Sequence, residues 1–176
     1  DRFLDSIFSH ASLPISVKTR IGFESPEEFA GILEVYNRYP IQELIVHPRV
    51  RKAFYDGPVD MDSFRYALQE SKAPLCYNGS LRTKAQIDAF TAQHPQVEAV
   101  MLGRGLIADP GLLTPGGTTA NALAQFHDAL LAAYTEAFGG SRNAMFRMKE
   151  NWRYWLCKFE NAEKLEVTLA DGSKKE

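Results

Sequence analysis

Four short apolar runs, each ending in a polar residue, recur along the chain at a nearly constant interval. They are Ile15-Ser16-Val17-Lys18, Leu44-Ile45-Val46-His47, Leu75-Cys76-Tyr77-Asn78-Gly79 and Val100-Met101-Leu102-Gly103-Arg104-Gly105. Their last apolar residues fall at 17, 46, 77 and 102, spacings of 29, 31 and 25 residues. Each interval holds one strand, one helix and two loops, so the repeat predicts consecutive βα units with parallel strands. In such α/β sheets ligand chemistry gathers at the carboxyl ends of the strands. Lys18, His47, Asn78 and Arg104 fall at those ends.

The intervening segments read as helices. Phe3, Leu4, Ile7 and Phe8 give residues 1–13 a helical spacing, so the chain opens on a helix rather than a strand. Ser25-Pro26-Glu27-Glu28 and Thr83-Lys84-Ala85-Gln86 both have the form of a capping box. The first introduces a helix with Phe29, Ile32, Leu33 and Tyr36 on one face, the second a helix with Ile87 and Phe90 inward. A further helix spans Asp62 to about Ser71, and a short one Leu106 to Leu113, interrupted at Asp109-Pro110.

After Thr114-Pro115-Gly116-Gly117, a loop signal, the pattern changes. Residues 120–138 and 142 to about 165 read as two long helices separated by Gly139-Gly140, and the polar tail 170–176 reads as frayed. The expected organisation is therefore a half of a (β/α)₈ TIM barrel over residues 1–113 and an all-α domain over 119–176. A closed barrel takes eight strands and about 250 residues, and only four βα units are present here. An open four-stranded parallel sheet is the competing architecture. An open half-barrel exposes strand edges and an apolar inner face, so self-association through those edges is expected.

Bulk properties narrow the class. With 176 residues, 45% hydrophobic and 24% charged, the chain has the composition of a globular protein of one domain or slightly more. A net charge of −2 gives no overall attraction to nucleic acid, so any such contact needs a local patch. Two cysteines, Cys76 and Cys157, form neither a zinc spacing nor a disulfide framework. With no signal peptide and no apolar run near the ~20 residues of a membrane span, the expected location is cytoplasmic.

The loops Asn78-Gly79-Ser80 and Gly103-Arg104-Gly105 each bring glycines to a strand end just before a helix, an arrangement suited to an anion. Together they are read as a phosphate site; either alone reads equally as a tight turn. Lys18 ends an otherwise buried strand and could stabilise negative charge on a reduced flavin, or pair with a carboxylate at a barrel rim. His47 could pack against or hydrogen-bond a flavin ring, though a single histidine at a strand end is commonly structural. The loop 49–57 mixes Arg49, Arg51 and Lys52 with Phe54 and Tyr55, which suits RNA phosphates and unstacked bases as well as plain solvent.

In the last long helix Met145, Met148, Trp152, Trp155, Leu156 and Phe159 share a face that reads as packing. Between residues 141 and 158 five cations stand against one acid, Glu150, a local charge of +4. Arg142, Arg147, Lys149 and Arg153 are candidate RNA phosphate contacts, or the solvated flanks of a core helix.

Four ordered motifs, Val17-Lys18-Thr19-Arg20-Ile21-Gly22, Val46-His47-Pro48-Arg49, Asn78-Gly79 and Met101-Leu102-Gly103-Arg104-Gly105, resemble the C-terminal half of a tRNA-dihydrouridine synthase. Arg147-Met148-Lys149-Glu150 through Trp152 is similar to the helical tRNA-binding domain of that family. Two positions depart from its pattern: Ser80, where an acidic residue is more usual, and Pro48, where glycine is.

The resemblance implies reduction of uridine to dihydrouridine in tRNA by NADPH through FMN. It places Lys18 and His47 on the flavin ring, and Asn78, Gly79, Ser80, Gly103, Arg104 and Gly105 around its phosphate. It implies tRNA contacts from Arg49, Arg51, Arg142, Arg147, Lys149 and Arg153, and no metal. The family's proton-donating cysteine loop has no counterpart among these motifs, so it is expected upstream, with no catalytic residue in this chain and no turnover by it. Two alternatives are a non-catalytic half-barrel that binds phosphate or RNA, and another FMN-dependent TIM-barrel oxidoreductase.

Overall fold

The computed structural model describes residues 2–160 and the backbone of 167–168 and 174–175. The chain divides into two compact units, one formed by Asp1–Leu81 and Ala85–Leu102, the other by Arg82–Lys84 and Gly103–Glu176.

The first unit alternates helices and strands: α1 (Arg2–His10), β1 (Ser16–Arg20), α2 (Glu28–Tyr36), β2 (Glu43–His47), a 3₁₀ turn (Arg51–Ala53), α3 (Met61–Glu70), β3 (Leu75–Tyr77), α4 (Lys84–Gln93) and β4 (Ala99–Val100). The four strands pair in parallel in the order β1-β2-β3-β4. A sheet that always steps to the next strand in the same direction, through right-handed crossovers, puts every helix on one face. The packing agrees. Val17, Leu44, Val46, Leu75, Tyr77 and Val100 join Phe29, Leu33, Phe64, Ala67 and Phe90 of the helices in one hydrophobic cluster.

Alternation along a strand sends the intervening residues to the other face. In register, Lys18 lies beside Ile45, Ile45 beside Cys76 and Cys76 beside Ala99, while Arg20 lies beside His47. None of these residues belongs to the helix-facing cluster. The continuous apolar run Leu44-Ile45-Val46 is thus divided between two faces, Leu44 and Val46 toward the helices and Ile45 away from them.

Helix starts follow side-chain chemistry, with one difference from the sequence reading. Glu28 accepts hydrogen bonds from the backbone N–H groups of Phe23, Glu24 and Ser25 at 3.0, 2.8 and 2.8 Å, so it supplies the acidic half of the expected capping box. The helix begins at Glu28 itself, with no side-chain cap from the preceding residue. Those three bonds hold the Glu28 carboxyl below its ordinary value. Asp60 caps α3, accepting from the backbone N–H of Ser63 at 3.0 Å.

The second unit contains α5 (Arg104–Ala108), α6 (Ala120–Ala137), α7 (Ser141–Trp155), a 3₁₀ turn (Leu156–Lys158) and a two-residue antiparallel pair, β5 (Val167–Thr168) with β6 (Lys174–Lys175). Thr119 caps α6 through the N–H of Ala122. Gly139 and Gly140, both at positive φ (67° and 146°), turn the chain into α7. Leu123, Met148 and Trp155 form the small core, flanked by Leu130, Leu131, Tyr134 and Trp152. The Trp155 indole donates to the Ile107 carbonyl at 2.8 Å, tying α7 to α5.

Three expectations change here. The last helix ends at Trp155 rather than near 165, and residues 161–165 lie outside the described ones. Its packing face is narrower than its apolar stripe: Met148 and Trp155 are buried, whereas Met145, Leu156 and Phe159 are exposed, because α6 covers only part of the circumference. The region read as all-α carries the short β5–β6 pair, and the expected fraying of 170–176 otherwise falls outside the described residues.

Phe64 is fully buried and meets Tyr77 edge-on at 4.8 Å between centroids. Phe64→Ala removes that packing and is expected to lower stability by roughly 3–5 kcal/mol. Urea unfolding checks this, and a loss below about 1 kcal/mol would contradict the placement.

Candidate functional site

Three side chains reach the carboxyl ends of β1 and β2 on the face away from the helices. Lys18 and Arg20 come from β1, and His47 closes β2 beside Arg20. Partial burial, and then the like charge of Arg20, lower the Lys18 pKa from its ordinary value, while Cys76 opposes them. The Arg20 guanidinium donates to the Val50 carbonyl at 2.9 Å and lies 5.5 Å from the Tyr55 ring. Tyr55 in turn stands 6.0 Å from the His47 ring. A cation-rich, aromatic-edged strand end of this kind suits an anionic or electron-rich planar ligand.

The β3 end is built from Tyr77, Asn78, Gly79 and Ser80. The Asn78 backbone N–H donates to the Val46 carbonyl at 2.9 Å, and its side-chain amide donates to the Met101 carbonyl at 2.8 Å. Asn78 therefore ties the loop after β3 to its neighbours on both sides. A Cβ on Gly79 would overlap the buried Tyr77 ring, so a side chain there is excluded by packing. Gly103, Arg104 and Gly105 open α5 in the second unit. A Cβ on Gly103 would meet nothing within 4 Å, which leaves open space over that backbone.

Arg49 differs from its sequence reading as a surface contact to RNA. It is only 5% exposed. Its Nε and Nη2 donate to the Gly57 carbonyl at 3.2 and 2.8 Å, Nη2 also to the Ser80 hydroxyl at 3.0 Å, and Nη1 lies 3.1 Å from His47 Nε2. A buried guanidinium is stable only with its donors satisfied, and those acceptors come from three separate segments. The rest of the loop faces outward. Phe54 and Tyr55 are exposed, Arg51 lies 5.1 Å from the Phe23 ring, and Lys52 pairs with Glu24. Phe54 holds φ at 47°, rare for a residue with a side chain.

Arg142, Arg147, Lys149 and Arg153 are all exposed along α7. Arg147 is engaged with Glu150 at 3.3 Å and with the Phe138 ring at 5.5 Å, and Lys149 with the Phe146 ring at 5.3 Å. Within this second unit a cleft of about 830 Å³ is lined by Arg82, Lys84, Arg104, Arg153 and Lys158, with Asp109 among them. Asp109 pairs with Lys158 and receives the Thr118 N–H at 3.0 Å; these partners, working against its partial burial, keep its carboxyl below the ordinary range. Lys158 is one of the five cations counted between residues 141 and 158, whereas Arg82 and Lys84 are not among the sequence-predicted contacts. The run Arg82-Thr83-Lys84 at the start of α4 was the available signal.

Cys76 does not resemble an activated thiol. Burial, and then the Glu43 carboxylate, push the Cys76 thiol up to about 11, against the opposing influence of Lys18. Cys157 is exposed. Ellman's reagent should therefore titrate one thiol rapidly in the native chain and two after denaturation. Two rapid thiols in the native chain would contradict the burial of Cys76.

A sequence model of the family described as dihydrouridine synthase (Dus) matches residues 2–176. Among curated relatives, tRNA-dihydrouridine synthase B of Pasteurella multocida is 23% identical over 112 residues, 63% of this chain and 33% of the relative. Another tRNA-dihydrouridine synthase B, of Shewanella oneidensis, is 28% identical over 109 residues, 61% of this chain and 33% of the relative. A tRNA-dihydrouridine(16) synthase of Vibrio vulnificus is 29% identical over 109 residues, with the same two shares. The aligned part of the chain spans about a third of the length of these relatives.

Proposed function

The chain belongs to the dihydrouridine synthase family, and from that premise we propose that it contributes the flavin-holding half-barrel and the helical RNA contacts of a tRNA-dihydrouridine synthase. The observation that carries this reading is the carboxyl edge of the sheet, where Lys18, Arg20 and His47 occupy the face opposite the helix-packed cluster of the first unit. In a closed barrel that face becomes the lumen, and the β1 and β4 edges pair with further strands.

The residues present fit FMN. An ammonium whose charge is already disfavoured by burial and by Arg20 gains from an electron-rich ring edge. Bound there, FMN would supply hydride transfer between NADPH and the uracil C5=C6 bond. In this reading Lys18 stabilises negative charge at the ring edge and His47 hydrogen-bonds the ring. Asn78, Gly79 and Ser80 hold the phosphate, with Asn78 fixing its loop through Met101, and Gly103, Arg104 and Gly105 are assigned to it by the sequence resemblance alone. No role in proton donation falls to Cys76, buried with a raised pKa, or to Cys157.

The target base must leave the RNA stack to reach a flavin. Exposed Arg51, Arg142, Arg147, Lys149 and Arg153 serve as phosphate contacts, and the cleft adds Arg82, Lys84 and Lys158 to that set. Arg49 leaves the set because it is buried. A cytoplasmic location is part of the same proposal, since tRNA is abundant there.

The test is titration of FMN with the chain, followed by quenching of flavin fluorescence. Lys18→Met should weaken binding by about tenfold or more, the scale of one lost charge-assisted hydrogen bond. Stability should not fall, because the substitution removes a charge that burial disfavours. The sign with pH is fixed: a lysine pKa lowered on folding makes the unsubstituted chain gain stability as pH rises through that lowered value, and K18M lacks this gain. Unchanged FMN affinity in folded K18M, or no FMN binding by the unsubstituted chain, would contradict the reading.

A further inference from the structure

We propose that Arg49 is a positioning residue for His47, holding the imidazole as a neutral ring with its proton on Nδ1. Arg49 Nη1 lies 3.1 Å from His47 Nε2, and each residue is 5% exposed. A guanidinium has five donors, no acceptor, and does not give up its proton in proteins. In this contact Nε2 must therefore be the acceptor, with its lone pair directed at Nη1. A neutral imidazole that accepts at one nitrogen carries its hydrogen on the other. Nδ1 is that nitrogen.

The device depends on Arg49 being unable to move. Its fork is fixed by the Gly57 carbonyl, accepting from Nε and Nη2, and by the Ser80 hydroxyl, accepting from Nη2. The connection between the two residues is equally fixed. The Arg49 backbone N–H donates to the His47 carbonyl at 2.7 Å, closing a three-residue turn around the fully buried Pro48. Such a turn in its common form needs a central φ near −75°, and the proline ring supplies about −65°. Proline at this position thus braces the turn that puts the guanidinium on the imidazole. Arg20 is the register neighbour of His47 and reaches the Tyr55 ring beside it.

The consequence rests on the flavin reading, but the tautomer does not. If His47 faces the ring system, it offers an N–H donor rather than a positive charge, and the charge at this edge comes from Lys18 and Arg20. Ser80 acquires a second role, as an anchor for the guanidinium that orients His47.

Long-range proton–nitrogen correlation spectra of the histidine-labelled chain at about pH 7, without flavin, test this. His47→Gln identifies the His47 signals among the four histidines. The unsubstituted chain should show His47 as a single neutral species protonated on Nδ1. Arg49→Gln and Pro48→Gly should convert it to a mixture with protonated Nε2. An imidazolium or a protonated Nε2 in the unsubstituted chain overturns the proposal, as does an unchanged pattern in folded R49Q. Should circular dichroism show R49Q unfolded, Ser80→Ala decides: the mixed pattern supports the anchoring, and the single Nδ1 species overturns it. Failure of FMN to bind leaves these outcomes standing, so the two readings fail separately.

Discussion

Tyr77, Phe90 and Phe64 form an aromatic cluster that fixes β3 to the helices on either side of it. Tyr77 stacks on Phe90 with centroids 4.0 Å apart and an interplanar angle of 21°, and Phe64 meets Tyr77 edge-on. Such pairs contribute more than their buried area alone. The cluster commits one face of the sheet to the helices, and alternation then commits Lys18, Ile45, Cys76 and Ala99 to the other. A one-residue slip in register would exchange the two sets. Packing on one side of the sheet therefore determines which chemistry stands on the other.

The polar residues at the strand ends are not equivalent. Burial, and then a neighbouring arginine, disfavour the charged form of Lys18. Arg49 is its opposite, a charge taken inside and fully employed by His47, Gly57 and Ser80. The first is available to a ligand and the second organises the groups that are. The Ser80 position joins the two, because the loop after β3 both anchors Arg49 and lies next to the glycine turn braced by Tyr77.

Much of the first unit was legible because parallel strands buried on both faces, as Leu44, Ile45 and Val46 are, read as continuous apolar runs bounded by turn residues. Leu44-Ile45-Val46 gave a strand and its end, and His47 was placed accordingly. What pattern could not show was where side chains end up after long-range contacts form. Arg49 sits in a polar loop and reads as exposed. Its burial depends on acceptors at 57 and 80, far along the chain. Ser25 has the right identity for a helix cap, yet Glu28 took over by collecting three backbone N–H groups. In α7 the helical period located the apolar stripe but not its covered width, which is set by how much of it α6 and α5 reach. The cleft cations Arg82, Lys84 and Lys158 lie up to 76 positions apart in sequence, and only the fold of the second unit groups them.

The most direct test of the account is the map of backbone amide shifts when FMN is added to the isotope-labelled chain. If the sheet face opposite the helix cluster holds the flavin at its carboxyl edge, the largest changes fall at Lys18, Arg20, His47, Asn78 and Gly79. Amides at the amino ends of the strands, such as Ser16 and Glu43, should stay still. Changes centred on those amino ends or on the outer surfaces of the helices would contradict the account.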